Sequence, residues 1–230
     1  MPSQYTYLAL MLFTLAGPLF LSFEKNVAYS KKWKYLPLPF FVTTVYFVIW
    51  DSLFTRHGIW SFNDTYILGF KIFLLPIEEW LFFIFVPFAC LFIYESANYH
   101  IKKDYLQKYA YHINAVILII ISVVAVLNIH KIYTAFNFIS AAVLMAYVQF
   151  ILKPHWLGRF YVGYFFSLIP FFLINGVLTY LPVVRYNNAE NLGIRLITIP
   201  IEDTIYCLLL LLMNVVMYEW LKERKNRLPG

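Results

Sequence analysis

Seven long apolar stretches separated by short polar connections constrain this chain more than any other feature. They run Tyr5–Phe23, Leu36–Phe54, Leu74–Tyr94, His112–Leu127, Ile132–Leu152, Tyr161–Thr179 and Ile197–Trp220. A helix needs about 20 mostly apolar residues to cross the hydrocarbon of a bilayer, and each stretch meets or nears that length. Apolar residues make up 62% of the chain and charged ones 13%, more apolar surface than a soluble core of 230 residues could hide. The expected fold class is therefore all-α, a polytopic membrane protein of about seven transmembrane helices. Met1–Gln4 carries no basic residue, so the first stretch reads as a retained helix rather than a cleaved signal.

The net charge of +6 could suggest nucleic acid, but lysines and arginines sit between and beyond the apolar runs, where they determine topology. The expected partner is the lipid bilayer, with no nucleic acid. Seven crossings put Lys31, Lys32, Lys34, Lys102, Lys103, Lys222 and most other basic residues on one side. Arg56, Lys71, Lys131, Arg185 and Arg195 fall on the other. The crowded side should be cytoplasmic, giving a multi-pass cell-membrane protein with its N-terminus outside and its C-terminus inside.

An internal repeat lies beneath this pattern. At an ungapped offset of 124 residues, Thr55 meets Thr179, Asn63 meets Asn187, Gly69 meets Gly193 and Lys71 meets Arg195. In the same register Pro76-Ile77-Glu78-Glu79 meets Pro200-Ile201-Glu202-Asp203, Tyr94-Glu95 meets Tyr218-Glu219, and Asp51 meets Asn175. The chain divides into a first three-helix repeat at 1–95, a connector with the fourth helix at 96–130, and a second repeat at 131–230. One intervening helix makes the two halves cross in the same sense. The expected architecture is a 3+1+3 parallel repeat about an axis along the membrane normal.

The acids of the repeated motif are the candidates for chemistry. A single carboxylate at a helix N-terminus is ordinary dipole stabilisation. Two consecutive acids in both halves, at membrane depth, mark a functional path instead. Neighbouring helical residues point about 100° apart, so the two acids of a pair face different ways. Glu78 and Glu202, whose identity the repeat preserves, are expected to face a shared interior. Glu79 and Asp203 are expected to support them. A dry site would keep one carboxyl protonated, as a general acid requires. Asp51, Trp60, Asn63, Asn175 and Asn187 are candidates for the pocket mouth, with loop capping or interfacial anchoring as the alternative. Phe82 and Tyr206, one turn beyond Glu78 and Glu202, are candidates for lining an apolar pocket. Asn214 reads as a helix–helix hydrogen bond, and Glu95 and Glu219 as solvated helix ends.

The chain has no glycine-rich dinucleotide fingerprint or P-loop. Its five histidines and its cysteines, Cys90 and Cys207, show no metal-ligand spacing. No metal and no cofactor is expected. The seventh stretch has no interior lysine for a retinal Schiff base.

The paired Pro-x-Glu-[Glu/Asp] segments, Trp50-Asp51, the run His57-Gly58-Ile59-Trp60-Ser61-Phe62-Asn63 and Asn175-Gly176-Val177-Leu178-Thr179 resemble the lycopene cyclase domain family in its fused form. The resemblance covers nearly the whole chain. It implies a non-redox isomerase that protonates a terminal double bond of lycopene or a related linear carotenoid. The cation closes a ring, and loss of a proton gives a β-ionone ring. Glu78 and Glu202 are then the foremost acid or base candidates, with Glu79 and Asp203 sharing the role. Relatives also act on C50 polyenes, and carotenoid-pathway enzymes are candidate partners. The alternative from another class is a small-solute transporter, since SWEET proteins share the 3+1+3 plan.

Overall fold

A computed structural model describes residues 3–227. Seven α-helices occur among the described residues: α1 (Thr6–Leu21), α2 (Pro37–Arg56), α3 (Ile77–His100), α4 (Ala110–Leu127), α5 (Ile132–Ala146), α6 (Leu157–Tyr180) and α7 (Glu202–Arg227). A π-helical segment, Tyr147–Leu152, continues α5. Six of these spans are long and apolar enough to cross a membrane, whereas α1 has 16 residues. The chain is a predominantly helical polytopic membrane protein. Large side chains such as Phe13, Phe41, Ile119, Phe165 and Leu173 remain exposed on the outside of the bundle, as lipid-facing residues do.

The third and seventh apolar stretches do not begin as helix, contrary to expectation. Each opens with a short β-hairpin, β2 (Lys71–Ile72) with β3 (Leu75–Pro76) and β5 (Arg195–Leu196) with β6 (Ile199–Pro200). The cause is local. Proline disfavours helical geometry in the residue before it, and Phe73, Leu74 and Ile197 turn with positive φ at the hairpin tips. Pro76 is the extended residue that caps α3, not part of its first turn.

Between these hairpins and the preceding helices lie β1 (Trp60–Phe62) and β4 (Val184–Tyr186), which pair antiparallel. Trp60 stands opposite Tyr186, Ser61 opposite Arg185 and Phe62 opposite Val184. Exchanging the halves maps this ribbon onto itself. The Asn63 N–H donates to the Val183 carbonyl at 2.9 Å, and the Asn187 N–H donates to the Ile59 carbonyl at 2.8 Å. A local two-fold relation therefore passes through the Ser61–Arg185 pair. Gly69 and Gly193 occupy matching turns at φ 83° and 75°, a conformation costly for any side chain with a Cβ.

The most enclosed helices are α3 and α7, which meet at the bundle centre. In the first half α1 packs on α3 and in the second α5 packs on α7, while α4 lies outside against α5. Gly163 permits a close approach of α6 to α3, because a Cβ there would stand 3.2 Å from the Tyr94 Cα. At the end remote from the hairpins, Tyr94 donates to Glu219 at 2.9 Å and Tyr218 to Glu95 at 2.7 Å. Lys222 bridges both acids at 2.9 Å and Lys32 adds a pair to Glu95. Glu95 and Glu219 are thus buried in an ion network and are not solvated helix ends. Their charge is compensated where water is scarce. Asn214 joins α7 to α2 through Thr43 at 3.4 Å, the helix–helix role expected for it.

Candidate active site

At the N-terminal ends of α3 and α7, three carboxyl groups converge on one narrow cleft. Asp51 comes from α2, Glu79 from α3 and Asp203 from α7, and all three are buried and line it. The Asp51 and Glu79 side chains are close neighbours in it. Tyr7 of α1 donates to Glu79 Oε2 at 2.5 Å, and Tyr206 of α7 donates to Asp51 Oδ1 at 3.3 Å.

Asp203 has a different surrounding. Tyr133 of α5 donates to Oδ1, and Oδ2 receives the Tyr186 hydroxyl at 2.8 Å and the Asn175 amide at 3.0 Å. Three donors thus converge on this one carboxyl. Tyr186 lies in β4, outside the spanning helices. Burial, with the Asp203 charge second, pushes its phenol well above the ordinary value, so it remains a donor. Arg195 stacks over the Tyr186 ring at 5.4 Å and bonds Asn188, while Lys71 pairs with Asp64 at 2.7 Å. These two cations are therefore engaged beside the loops, not on Glu78 or Glu202.

Aromatic faces wall the cleft. The Tyr206 ring lies 4.8 Å from Phe47 and 5.1 Å from Trp50, Trp60 meets Tyr133 edge-on at 5.2 Å, and Tyr133 stacks on Tyr186. The cleft encloses about 40 Å³, room for little more than one water. Next to it, sharing Phe82 and Asn175, opens an apolar groove of about 300 Å³ between α1, α3 and α6.

The structure reverses the expected facing of each acid pair. Glu78 and Glu202 are fully buried but do not line the cleft. Glu78 Oε1 accepts the Leu68 N–H at 2.8 Å and Glu202 Oε1 accepts the Leu192 N–H at 2.6 Å. These bonds hold the loops between the β1–β4 ribbon and the hairpins, whose backbone N–H groups need acceptors once buried. Thr134 and Asn137 of α5 further fix Glu202, through its side chain and carbonyl. Helical geometry turns the next residue, Glu79 or Asp203, about 100° away and into the cleft.

Of the other expected site residues, Asp51, Trp60, Phe82, Asn175 and Tyr206 line the cleft. Asn63 and Asn187 do not. Each caps a short 3-10 turn, accepting from the Thr65 and Ala189 N–H groups at 3.1 Å. Sequence reasoning missed Tyr7, Tyr133 and Tyr186. Tyr7 and Tyr133 are counterparts, each bonding the cleft acid of its own half, but they lie 126 residues apart and so fall outside the ungapped register.

A protein-family model described as lycopene cyclase matches residues 4–97 and 130–221. Neither a curated protein nor a solved structure matches the chain.

Proposed function

This chain belongs to the lycopene cyclase family, and on that premise we propose that it closes β-rings on the ends of lycopene without net redox change. The observation that carries this reading is the convergence of the buried Asp51, Glu79 and Asp203 on one narrow cleft walled by aromatic side chains. The Asp51–Glu79 pair supplies a proton to the terminal double bond of the polyene. The resulting tertiary cation is attacked by the neighbouring double bond, forming the ring carbon–carbon bond. Loss of a proton from the ring carbon beside the new cation restores a double bond, with Asp203 as the base. One proton enters and one leaves, so the product is an isomer and no cofactor is required. The faces of Phe82, Trp60 and Tyr206 stabilise the passing cation. Exclusion of water prevents its capture as an alcohol.

In this reading Glu78 and Glu202 are positioning residues that hold the cleft loops in place. We read the two halves as a parallel repeat about a membrane-normal axis, with both sets of acids at one depth on the side opposite most lysines. We place that side outside the cell, with the C-terminus in the cytoplasm. Family membership does not favour the solute-transporter alternative. Expression in lycopene-accumulating cells, with chromatography of the extracted pigments, tests the proposal: β-ring carotenoids should replace lycopene. Unchanged lycopene beside properly inserted protein would refute it.

A further inference from the structure

The two halves differ beside the cleft, where one side is open and the repeat-related side is filled. On the open side the groove between α1, α3 and α6 is built from small or slender residues, among them Gly17, Ala89, Cys90, Ser167 and Pro170. Its rim carries the exposed Phe13 and Leu173, so the mouth faces lipid. Its inner end reaches Phe82 and Asn175, which also line the carboxyl cleft.

The equivalent place in the other half, between α5, α7 and α2, is occupied. Tyr46 stands where Pro170 does, and its hydroxyl donates to Ser140 of α5 at 2.9 Å, tying α2 to α5. Trp50, at the position of Ile174, fills the interior, 4.8 Å from Phe136 and 5.1 Å from Tyr206. Asn214 and Thr43, at the positions of Cys90 and Ser167, hydrogen-bond to each other across the seam.

From this asymmetry we infer that the α1–α3–α6 groove is the single lateral channel through which one end of an apolar polyene passes from the bilayer to the carboxyls. The inference rests on the cyclase reading for the ligand's identity. A volume of about 300 Å³ is at the small end for ligand sites and accepts an end group. The remainder of a long chain stays in lipid, which solvates it at no cost. A lipid acyl chain would also suit the walls, but continuity with a buried acid cluster favours a substrate whose end must meet a proton. One channel takes one end at a time, so a two-ring product forms only after the one-ring intermediate leaves and re-enters reversed.

Gly17→Leu tests this with little risk to folding, because a Cβ at Gly17 meets no heavy atom within 4 Å. Ala89→Phe fills the groove from the facing wall. Each variant is paired with Glu79→Gln, and the purified protein is assayed for retained linear carotenoid, co-purified phospholipid and thermal melting. Each single variant is assayed for one-ring and two-ring products. Both fillers are expected to lower retained pigment about tenfold or more while melting is kept, and to lower both products together. Pigment and products at wild-type levels in folded protein would overturn the inference, as would loss of phospholipid alone. One-ring product at undiminished yield would also overturn it, since that requires a second channel. If Gly17→Leu melts early, retention of pigment by folded Ala89→Phe decides. Wild-type protein that retains linear carotenoid in a Gly17-dependent manner but never cyclises it would keep the channel and remove the cyclase reading.

Discussion

Tyr206 of α7 donates its hydroxyl to Asp51 of α2 at 3.3 Å, joining residues 155 positions apart across the two halves of the chain. Phe82 holds the repeat-equivalent place, so only one half presents a hydroxyl there. Tyr206→Phe keeps the ring and its packing on Phe47 and Trp50 while removing this donor. A hydrogen bond of this kind to a carboxyl contributes about 1–2 kcal/mol, so product formation should fall roughly tenfold with little change in melting. Equal rates per folded protein would show that the Tyr206 hydroxyl does not assist the Asp51–Glu79 proton.

The two acids of each motif are separable by amide substitution. Glu79→Gln and Asp203→Asn should each lower cyclic carotenoid by about a hundredfold or more, the scale of a lost general acid or base. Glu78→Gln and Glu202→Gln retain an oxygen able to accept the Leu68 or Leu192 N–H, so they should keep most activity. The reverse pattern, measured by pigment chromatography against equal membrane protein, would return the proton chemistry to Glu78 and Glu202.

Solvent deuterium reports the proposed proton path. Cyclisation in deuterium oxide should place a single deuterium in each β-ring, because the proton on the Asp51–Glu79 pair exchanges with solvent between turnovers. Mass spectrometry of the product gives the answer directly. Rings formed without label would mean that the incoming proton comes from the substrate itself.

At the opposite end of the bundle, Lys222 bonds Glu95 and Glu219 together. Lys222→Met would leave two buried carboxyls with one cation, Lys32, between them. Removing one partner from a buried ion network costs about 3 kcal/mol or more, seen as a lower melting temperature in detergent. Carotenoid product per folded molecule should be unaffected, since the network lies far from the cleft.

Gly163 faces the Tyr94 backbone, where a Cβ would come within 3.2 Å of Cα. Gly163→Ala should push α6 away from α3 and cost about 1–3 kcal/mol through overpacking. Thermal unfolding checks this, and an unchanged melting point would mean that the helices can separate there at no cost.

Seven helices and their approximate places were legible in the sequence, because lipid demands long apolar runs, although α1, at 16 residues, is shorter than the six that can span. The pairing of Pro76–Glu79 with Pro200–Asp203 was legible too, since it needs only one register along the chain. Which acid of each pair faces the cleft was not. Sequence similarity between the halves preserved Glu78 and Glu202, and it did so because both anchor equivalent loops through Leu68 and Leu192. A buried backbone N–H demands the same acceptor in both halves, whereas the two sides of the cleft have diverged to Glu79 and Asp203, and to Asp51 and Asn175. The ribbon that joins Trp60 to Tyr186, the tyrosines that reach the acids from α1 and α5, and the filling of one groove by Trp50 are long-range contacts. Chain proximity carries no trace of them. They were decided when the two halves packed, because only then do side chains far apart in sequence compete for the same volume and the same hydrogen-bond partners.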